Sequence, residues 1–235
     1  MGAGIDRSDW DQENRRVCRR YFHRWMCASS IVAGSLAAVT CLAGAATLGA
    51  EARLHNNAEQ QVGTARLIQL GDGSVLIQVR VHDMPRGFHG FHVHAVGECV
   101  RGTPGSPEAP GIPAIPATAD FASAGGHFDL ATHIHGDPEK HTHGYHSGDL
   151  PILQVNDDGT ANAIFTTDHF ELADLFDTDG SAIVIHAAAD NYANIPASRY
   201  AATTSGATTP DATTLLTGDS GARIACGVIK KLIER

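Results

Sequence analysis

Val62-Gly63-Thr64-Ala65-Arg66-Leu67-Ile68-Gln69-Leu70, then Gly71-Asp72-Gly73, then Ser74-Val75-Leu76-Ile77-Gln78-Val79-Arg80-Val81-His82-Asp83 is the stretch on which the fold class turns. In its second half Val75, Ile77, Val79 and Val81 recur at every second position, which puts them on one face of a strand. The glycine-flanked Asp72 is a tight-turn signal, so residues 62–70 and 74–83 are expected to pair as a β-hairpin.

Working outward, the same reading extends to most of the chain. Residues 88–95 make a further short strand. Residues 151–156 and 160–167 flank Asp157-Asp158-Gly159, a second hairpin signal. Residues 181–187 are apolar and β-branched, and residues 223–230 form the last strand candidate. Between them lie long irregular stretches: 101–118 with five of the ten prolines, the Gly- and His-rich 125–148, and the polar 187–222. Many short strands with turn punctuation indicate an all-β sandwich or barrel. Long loops in such a domain are usually functional or disordered.

The chain has 235 residues, enough for one domain of ordinary size plus an appendage. After residue 52 it holds eleven Lys and Arg against twenty-one acids, so the body carries about −10. An acidic body argues against nucleic acid as a partner, because phosphate binding needs a basic face. Thirteen of the fourteen histidines also lie in this part.

Residues 1–25 contain Arg15, Arg16, Arg19, Arg20 and Arg24, and residues 26–50 carry no charge. A basic region followed by an apolar run reads as an export signal. Arg19-Arg20-Tyr21-Phe22 partly resembles a twin-arginine signal, with Cys18 where Ser or Thr is usual. Small-residue cleavage sites occur at Gly44-Ala45-Ala46 and Ala50-Glu51-Ala52. The competing reading is membrane anchorage through residues 26–50, which are long enough to span a bilayer. The organisation expected is therefore an export signal or anchor over 1–52, a polar tether over 53–61 and a domain over 62–235. The location expected is the cell envelope, a periplasm-like space or the medium. Cys18, Cys27 and Cys41 fall in the leader, leaving Cys99 and Cys226 as either one disulfide or two buried thiols.

His92-Val93-His94 lies on a strand candidate, so both imidazoles share a face and can reach one metal. Gly125-Gly126-His127-Phe128-Asp129 follows, then His135-Gly136-Asp137-Pro138, then His146-Ser147-Gly148-Asp149, and finally His186 after an apolar run. Alone, His186 reads sooner as a satisfied core histidine than as a ligand. Four imidazoles suit tetragonal copper(II), and three with one carboxylate suit tetrahedral zinc.

These segments, with Gly87-Phe88-His89-Gly90-Phe91 before the His-x-His pair and Gly218-Asp219-Ser220-Gly221-Ala222-Arg223-Ile224-Ala225-Cys226-Gly227-Val228-Ile229 near the end, resemble the copper–zinc superoxide dismutases over residues 62–229. The tail with Ala189-Asp190-Asn191-Tyr192-Ala193-Asn194-Ile195-Pro196 is most similar to actinobacterial members. The resemblance implies an eight-stranded antiparallel Greek-key β-barrel with long functional loops. It implies copper at His92, His94, His127 and His186, and zinc at His127, His135, His146 and Asp149, with His127 shared. It also implies a Cys99–Cys226 disulfide, Asp190 as the carboxylate joining ligand imidazoles of the two sites, and His89 tying backbone instead of metal. The implied activity is antioxidant: dismutation of superoxide to dioxygen and hydrogen peroxide, with Arg223 orienting the anion and His127 carrying a proton. The alternative is a module of the same fold that binds or delivers copper without turnover. His133 rivals His135, and His141 and His143 are further spare imidazoles. Lys140 is a weaker contributor to the field at the site. Assembly stays open, a homodimer included.

Overall fold

The alternating stretch builds its hairpin: β2 (Gln61–Gln69) and β3 (Val75–Val81) pair antiparallel from Gly63↔Val81 to Gln69↔Val75. The turn is tied by Asp72, whose carboxylate accepts the backbone N–H of Ser74 at 3.0 Å and its hydroxyl at 2.6 Å. Those bonds hold the Asp72 carboxyl below its ordinary value. The structure, a computed structural model, describes residues 48–102, 120–131, 135–136, 145–193 and 212–232. Residues 1–47 of the expected leader, the spare histidines 133, 141 and 143, and Lys140 lie outside these residues. Among the described residues no helix is long and apolar enough to cross a membrane.

The remaining strands are β1 (Gly49–Asn56), β4 (Gly87–His89), β5 (Phe91–His94), β6 (Leu153–Val155), β7 (Ala161–Thr167), β8 (Ala182–His186) and β9 (Arg223–Lys231). Seven form one antiparallel sheet in the order β5-β8-β9-β1-β2-β3-β7, and β4 pairs with β6 in a two-stranded ribbon. The ribbon joins the two edges of the large sheet through the chain itself. β6 continues into β7 across the 157–159 turn, and β4 continues into β5 across Gly90. Strand alternation turns Ala52, Leu54, Leu67, Ile77, Val79, Phe91 and Ile183 into one apolar core, all with no exposed surface.

Three expectations need correction. The tether over 53–61 is the second half of β1 and its turn. Ala50, Ala52 and Leu54 are buried while β1 pairs with both β2 and β9. The small-residue site at 50–52 therefore lies inside a strand. The single strand expected over 88–95 is interrupted at Gly90, where a Cβ would lie 2.5 Å from Ser220 Cβ and 3.1 Å from His92 Cε1. The bare backbone lets the chain change partner there, so the described residues show nine strand segments, in rough agreement with the eight strands expected. At 157–159 the turn forms, with Asp158 accepting from Thr160 as Asp72 does from Ser74. Its flanking strands nevertheless part, β6 to β4 and β7 to β3. Chain folding beyond the turn, not the turn signal, decides that pairing.

Candidate metal centre

In β5 every residue is buried. Phe91 and Val93 enter the apolar core, so the pleat turns His92 and His94 to the opposite face. β8 pairs with β5 at Phe91↔Ile185 through His94↔Ala182 and ends in His186. On the other edge of β5, His94 is bridged to His127 and His92 to Asp149. Close passage there depends on Gly148, where a Cβ would meet Val93 O at 2.3 Å.

The hydrogen bonds of this cluster assign its protons. A carbonyl only accepts, so His94 Nδ1 donates to Gly125 O at 2.9 Å and His186 Nδ1 donates to Gly221 O at 3.0 Å. His92 Nε2 donates to the Asp190 carboxylate at 2.6 Å. Each ring is left with one bare lone pair. His94 Nε2 and His186 Nε2 face each other at 3.3 Å, and His92 Nδ1 and His127 Nε2 are buried with no hydrogen-bond partner. One ligand atom from each of the four rings lies within 4.8 Å of the others. A buried unpaired nitrogen costs about 1–3 kcal/mol. Four together fit a shared cation and no internal pairing. Burial, the largest cause, holds His94, His127 and His186 well below the ordinary imidazole value; Arg223 adds to this at His94, and His92 adds at the other two. These three rings are thus kept neutral, the state a metal requires.

A second cluster adjoins it. One oxygen of Asp149 lies 2.8 Å from His127 Nδ1, 3.0 Å from His135 Nδ1 and 3.5 Å from His146 Nδ1. The other accepts the backbone N–H of His146 at 3.0 Å and of Gly136 at 3.2 Å. Burial would raise the Asp149 pKa, but the three imidazoles outweigh it and hold the carboxyl well below its ordinary value. By mutual distance, a set of His92, His127, His135 and Asp149 also falls within 4.8 Å. His92 Nε2 is committed to Asp190, whereas His146 Nδ1 is buried without a hydrogen-bond partner. His146 therefore has the open donor for this second position. His89, by contrast, places both ring nitrogens against carbonyl oxygens, of His186 at 2.7 Å and Pro85 at 2.8 Å.

Asp190 spans the two clusters, with His92 Nε2 at 2.6 Å and His135 Nε2 at 2.7 Å. Burial lowers the affinity of His135 for a proton, yet the carboxylates of Asp149 and Asp190 on its two nitrogens raise its pKa to about 9. That ring holds a proton between two anions, a place a divalent cation would take over. Two residues that sequence reasoning did not single out shape this bridge. Gly218, with φ 57°, leaves room for it, since a Cβ there would lie 2.5 Å from His135 Nε2 and closer still to Asp190 Oδ1. Tyr192 donates its backbone N–H to Asp190 at 2.7 Å, and its hydroxyl accepts the N–H of Ile152 at 2.7 Å. Both were quoted within motifs, but neither carries metal chemistry of its own.

Arg223 is half-buried at the start of β9. Its guanidinium donates to Phe121 O at 2.7 Å and to Gly125 O at 2.6 Å, the latter also accepting from His94. Cys99 and Cys226 form a disulfide across 127 residues of chain. Ser123 Oγ accepts the N–H of Val100 at 2.8 Å and donates to Glu98 O, fastening the disulfide segment to the turn that holds Arg223.

Residues 61–229 match the family model for copper/zinc superoxide dismutase. The Cu-Zn superoxide dismutase of Mycolicibacterium paratuberculosis is 42% identical over 171 residues, covering 72% of this chain and 68% of that protein. The Cu-Zn superoxide dismutase of Mycobacterium tuberculosis is 48% identical over 143 residues, covering 61% of this chain and 53% of that protein. Among solved structures, the Cu/Zn superoxide dismutase from Brucella abortus superposes with a TM-score of 0.56 at 27% identity, covering 77% of this chain and 99% of that one. A family match over most of the chain, an antiparallel barrel of the same kind and two adjoining imidazole clusters agree: the chain belongs to the copper/zinc superoxide dismutase family.

Proposed function

We propose that this chain dismutes superoxide, taking two superoxide anions and two protons to dioxygen and hydrogen peroxide. The observation that carries the reading is the convergence of four buried imidazoles: His92 Nδ1 and His127 Nε2 have no hydrogen-bond partner, and His94 Nε2 and His186 Nε2, whose Nδ1 protons are already given to carbonyls, face only each other. Those nitrogens would hold copper. His127 Nδ1, His135 Nδ1, His146 Nδ1 and Asp149 would hold zinc. Copper, when bound, supplies reversible one-electron chemistry that no side chain here offers.

The chain's own groups then have separable tasks. Arg223, held by two carbonyls, presents the positive face that orients the anion. His127, with one nitrogen toward each cluster, would carry a proton to the forming peroxide on Nε2 whenever that nitrogen is not holding the metal. Asp190 fixes the tautomers of His92 and His135 and so directs their free nitrogens. The leader and the disulfide support an exported chain in the cell envelope or beyond it. Anchorage through residues 26–50 and assembly as a homodimer are the further arrangements to examine.

The test is a dismutation assay on protein of measured copper and zinc content, beside Arg223→Ala. Activity at full copper loading, reduced about tenfold or more in the variant, supports the enzyme. Full loading with no activity would instead mark a copper-binding module.

A further inference from the structure

The cations of this acidic chain are unevenly spread. A cleft of about 740 Å³ runs along the outer face of β1 and β9. Four cations border it, Arg53, Arg101, Lys230 and Lys231, against the carboxylates of Glu51 and Glu59. The chain after residue 52 has only eleven Lys and Arg against twenty-one acids, so over a third of those cations gather at one cleft. Strand register explains the excess. Alternation turns Ala50, Ala52 and Leu54 into the core, so Glu51 and Arg53 face out. Pairing then sets Glu51 between Arg66 on β2 and Lys230 on β9. Arg53 and Arg66 both reach that carboxylate, at 3.3 and 3.2 Å. One acid facing three cations leaves the wall positive.

The same face carries apolar surface. Val100 and Leu232, 40% and 45% exposed, line the cleft. Leu48, 37% exposed, precedes Gly49, whose carbonyl accepts the Leu232 N–H at 2.8 Å. These are three of the six large apolar side chains exposed among the described residues, and they stand beside the cations. Apolar groups among Lys and Arg on one face are what an anionic lipid surface binds. Leu48 is also where the chain enters the barrel. Residues 26–47 carry no charge and are long enough to cross a bilayer. Leu48 alone separates them from β1, so a bilayer holding that run would hold this end of the cleft at its surface.

We propose that the β1–β9 face docks on the surface of a bilayer that contains anionic lipids. Arg53, Arg101, Lys230 and Lys231 meet headgroup phosphates, while Leu48, Val100 and Leu232 press against the apolar boundary below them. The acid-rich remainder of the body is repelled by the same lipid charge, which turns this face to the membrane. Among the described residues, no member of the two imidazole clusters lines the cleft, so docking uses a face separate from the metal centre. The proposal rests on the anchorage reading for delivery to the bilayer and not on dismutation.

The chain has three lysines, Lys140, Lys230 and Lys231, which supply both reporter and reference. The full metal-bound chain is reconstituted in vesicles of phosphatidylcholine, or of phosphatidylcholine and phosphatidylglycerol in equal parts. Its amines are labelled with a water-soluble acylating reagent and read by peptide mass. Labelling of Lys230 relative to Lys140 should fall about tenfold in the anionic vesicles at about 10 mM ionic strength, and should recover at about 0.5 M salt. Neutral vesicles should leave Lys230 open, and flotation with them reads anchorage separately. Arg53→Gln with Arg101→Gln should cut the protection severalfold, and so should Leu232→Ser. Equal labelling of Lys230 in neutral and anionic vesicles, equal protection of Lys140, or protection that survives high salt would each overturn the proposal. Protection that appears without vesicles and grows with protein concentration would overturn it too, by assigning the face to a second copy of the chain. The vesicle comparison on the unsubstituted chain decides the matter even if a variant folds poorly.

Discussion

His92, His94 and His186 stand on β5 and β8, whose backbones pair residue by residue, whereas His135, His146 and Asp149 stand on the connection between β5 and β6. On the first side the sheet register sets the spacing of the imidazoles before any ion arrives. On the second, the arrangement hangs on Asp149, which collects three imidazoles and two backbone N–H groups. The electrostatics differ accordingly. The strand-borne rings are kept neutral by burial, while His135 is held protonated between two carboxylates. A site built by a sheet is ready for its ion; a site built by a loop around a carboxylate needs its ion to complete the loop.

His127 belongs to both sides, so removing it should abolish the distinction. His127→Ala is expected to lower dismutation by about a hundredfold or more, since a positioned proton carrier alone contributes about 10²–10⁴. It should also loosen both metals, measured as copper and zinc per chain after dialysis. Unchanged zinc in that variant would mean the loop side does not depend on the shared ring.

Selective removal of zinc probes the contrast next. At about a thousandfold excess over its dissociation constant a ligand stabilises by about 4 kcal/mol, which for a domain of this size is about 10 °C in Tm. Chelation should lower Tm by that order. Hydrogen exchange should then speed at the amides of His135 and His146, bonded to Leu215 O and Asp149, while the amides of β5 and β8 stay protected. Equal loss of protection on both sides would show that the strands, too, wait for metal.

Gly218→Ala tests the bridge between the sides. A left-handed φ of 57° is itself strained for an alanine, although Asp219 at 55° and Tyr192 at 53° adopt it nearby. Contact adds to the cost, because the new methyl would push into Asp190 Oδ1 and His135 Nε2. A destabilisation of about 1–3 kcal/mol is expected from such a forced shift. Zinc affinity should fall about 10–100-fold, as when a partner of a ligand imidazole is lost, read by competition with a chromophoric chelator. A fall in copper affinity larger than that in zinc would place the strain on His92 instead.

How much of this was legible follows the same division. The β2–β3 hairpin was readable because Val75 through Val81 alternate large apolar residues with others over a full strand. β1 alternates just as cleanly, but its inward residues are Ala50, Ala52 and Leu54, and two alanines beside an apolar leader give almost no contrast. The parting of β6 from β7 depends on pairing with β4, more than sixty residues away, and no turn residue encodes that. In the centre, His-x-His on a strand was visible from spacing, while the ligand sets, Asp190 and Arg223 came through family resemblance. The groups that hold Arg223 are backbone carbonyls of Phe121 and Gly125, and a carbonyl leaves no mark in a sequence. Gly218 matters for the atom it lacks, facing a carboxylate 28 positions earlier in the chain.

The smallest effect belongs to Tyr192. Its hydroxyl accepts the N–H of Ile152 at 2.7 Å, and its ring lies parallel to that of His135, within 6°. It thereby links the segment after Asp149 to the segment that carries Asp190. Tyr192→Phe keeps the ring and removes one part-buried hydroxyl, which accepts from Ile152 and reaches Leu150 O at 3.5 Å; the loss should cost about 1 kcal/mol, a few degrees in Tm. If the loop side is as dependent on its ion as argued, that loss should be larger in zinc-free than in zinc-bound protein, because bound zinc holds the same segments together by another route. Thermal scans of both proteins with and without chelator form a double cycle for this coupling. Equal losses in the two states would show the hydroxyl bond and the zinc site to be independent, and the loop to be held by the fold after all.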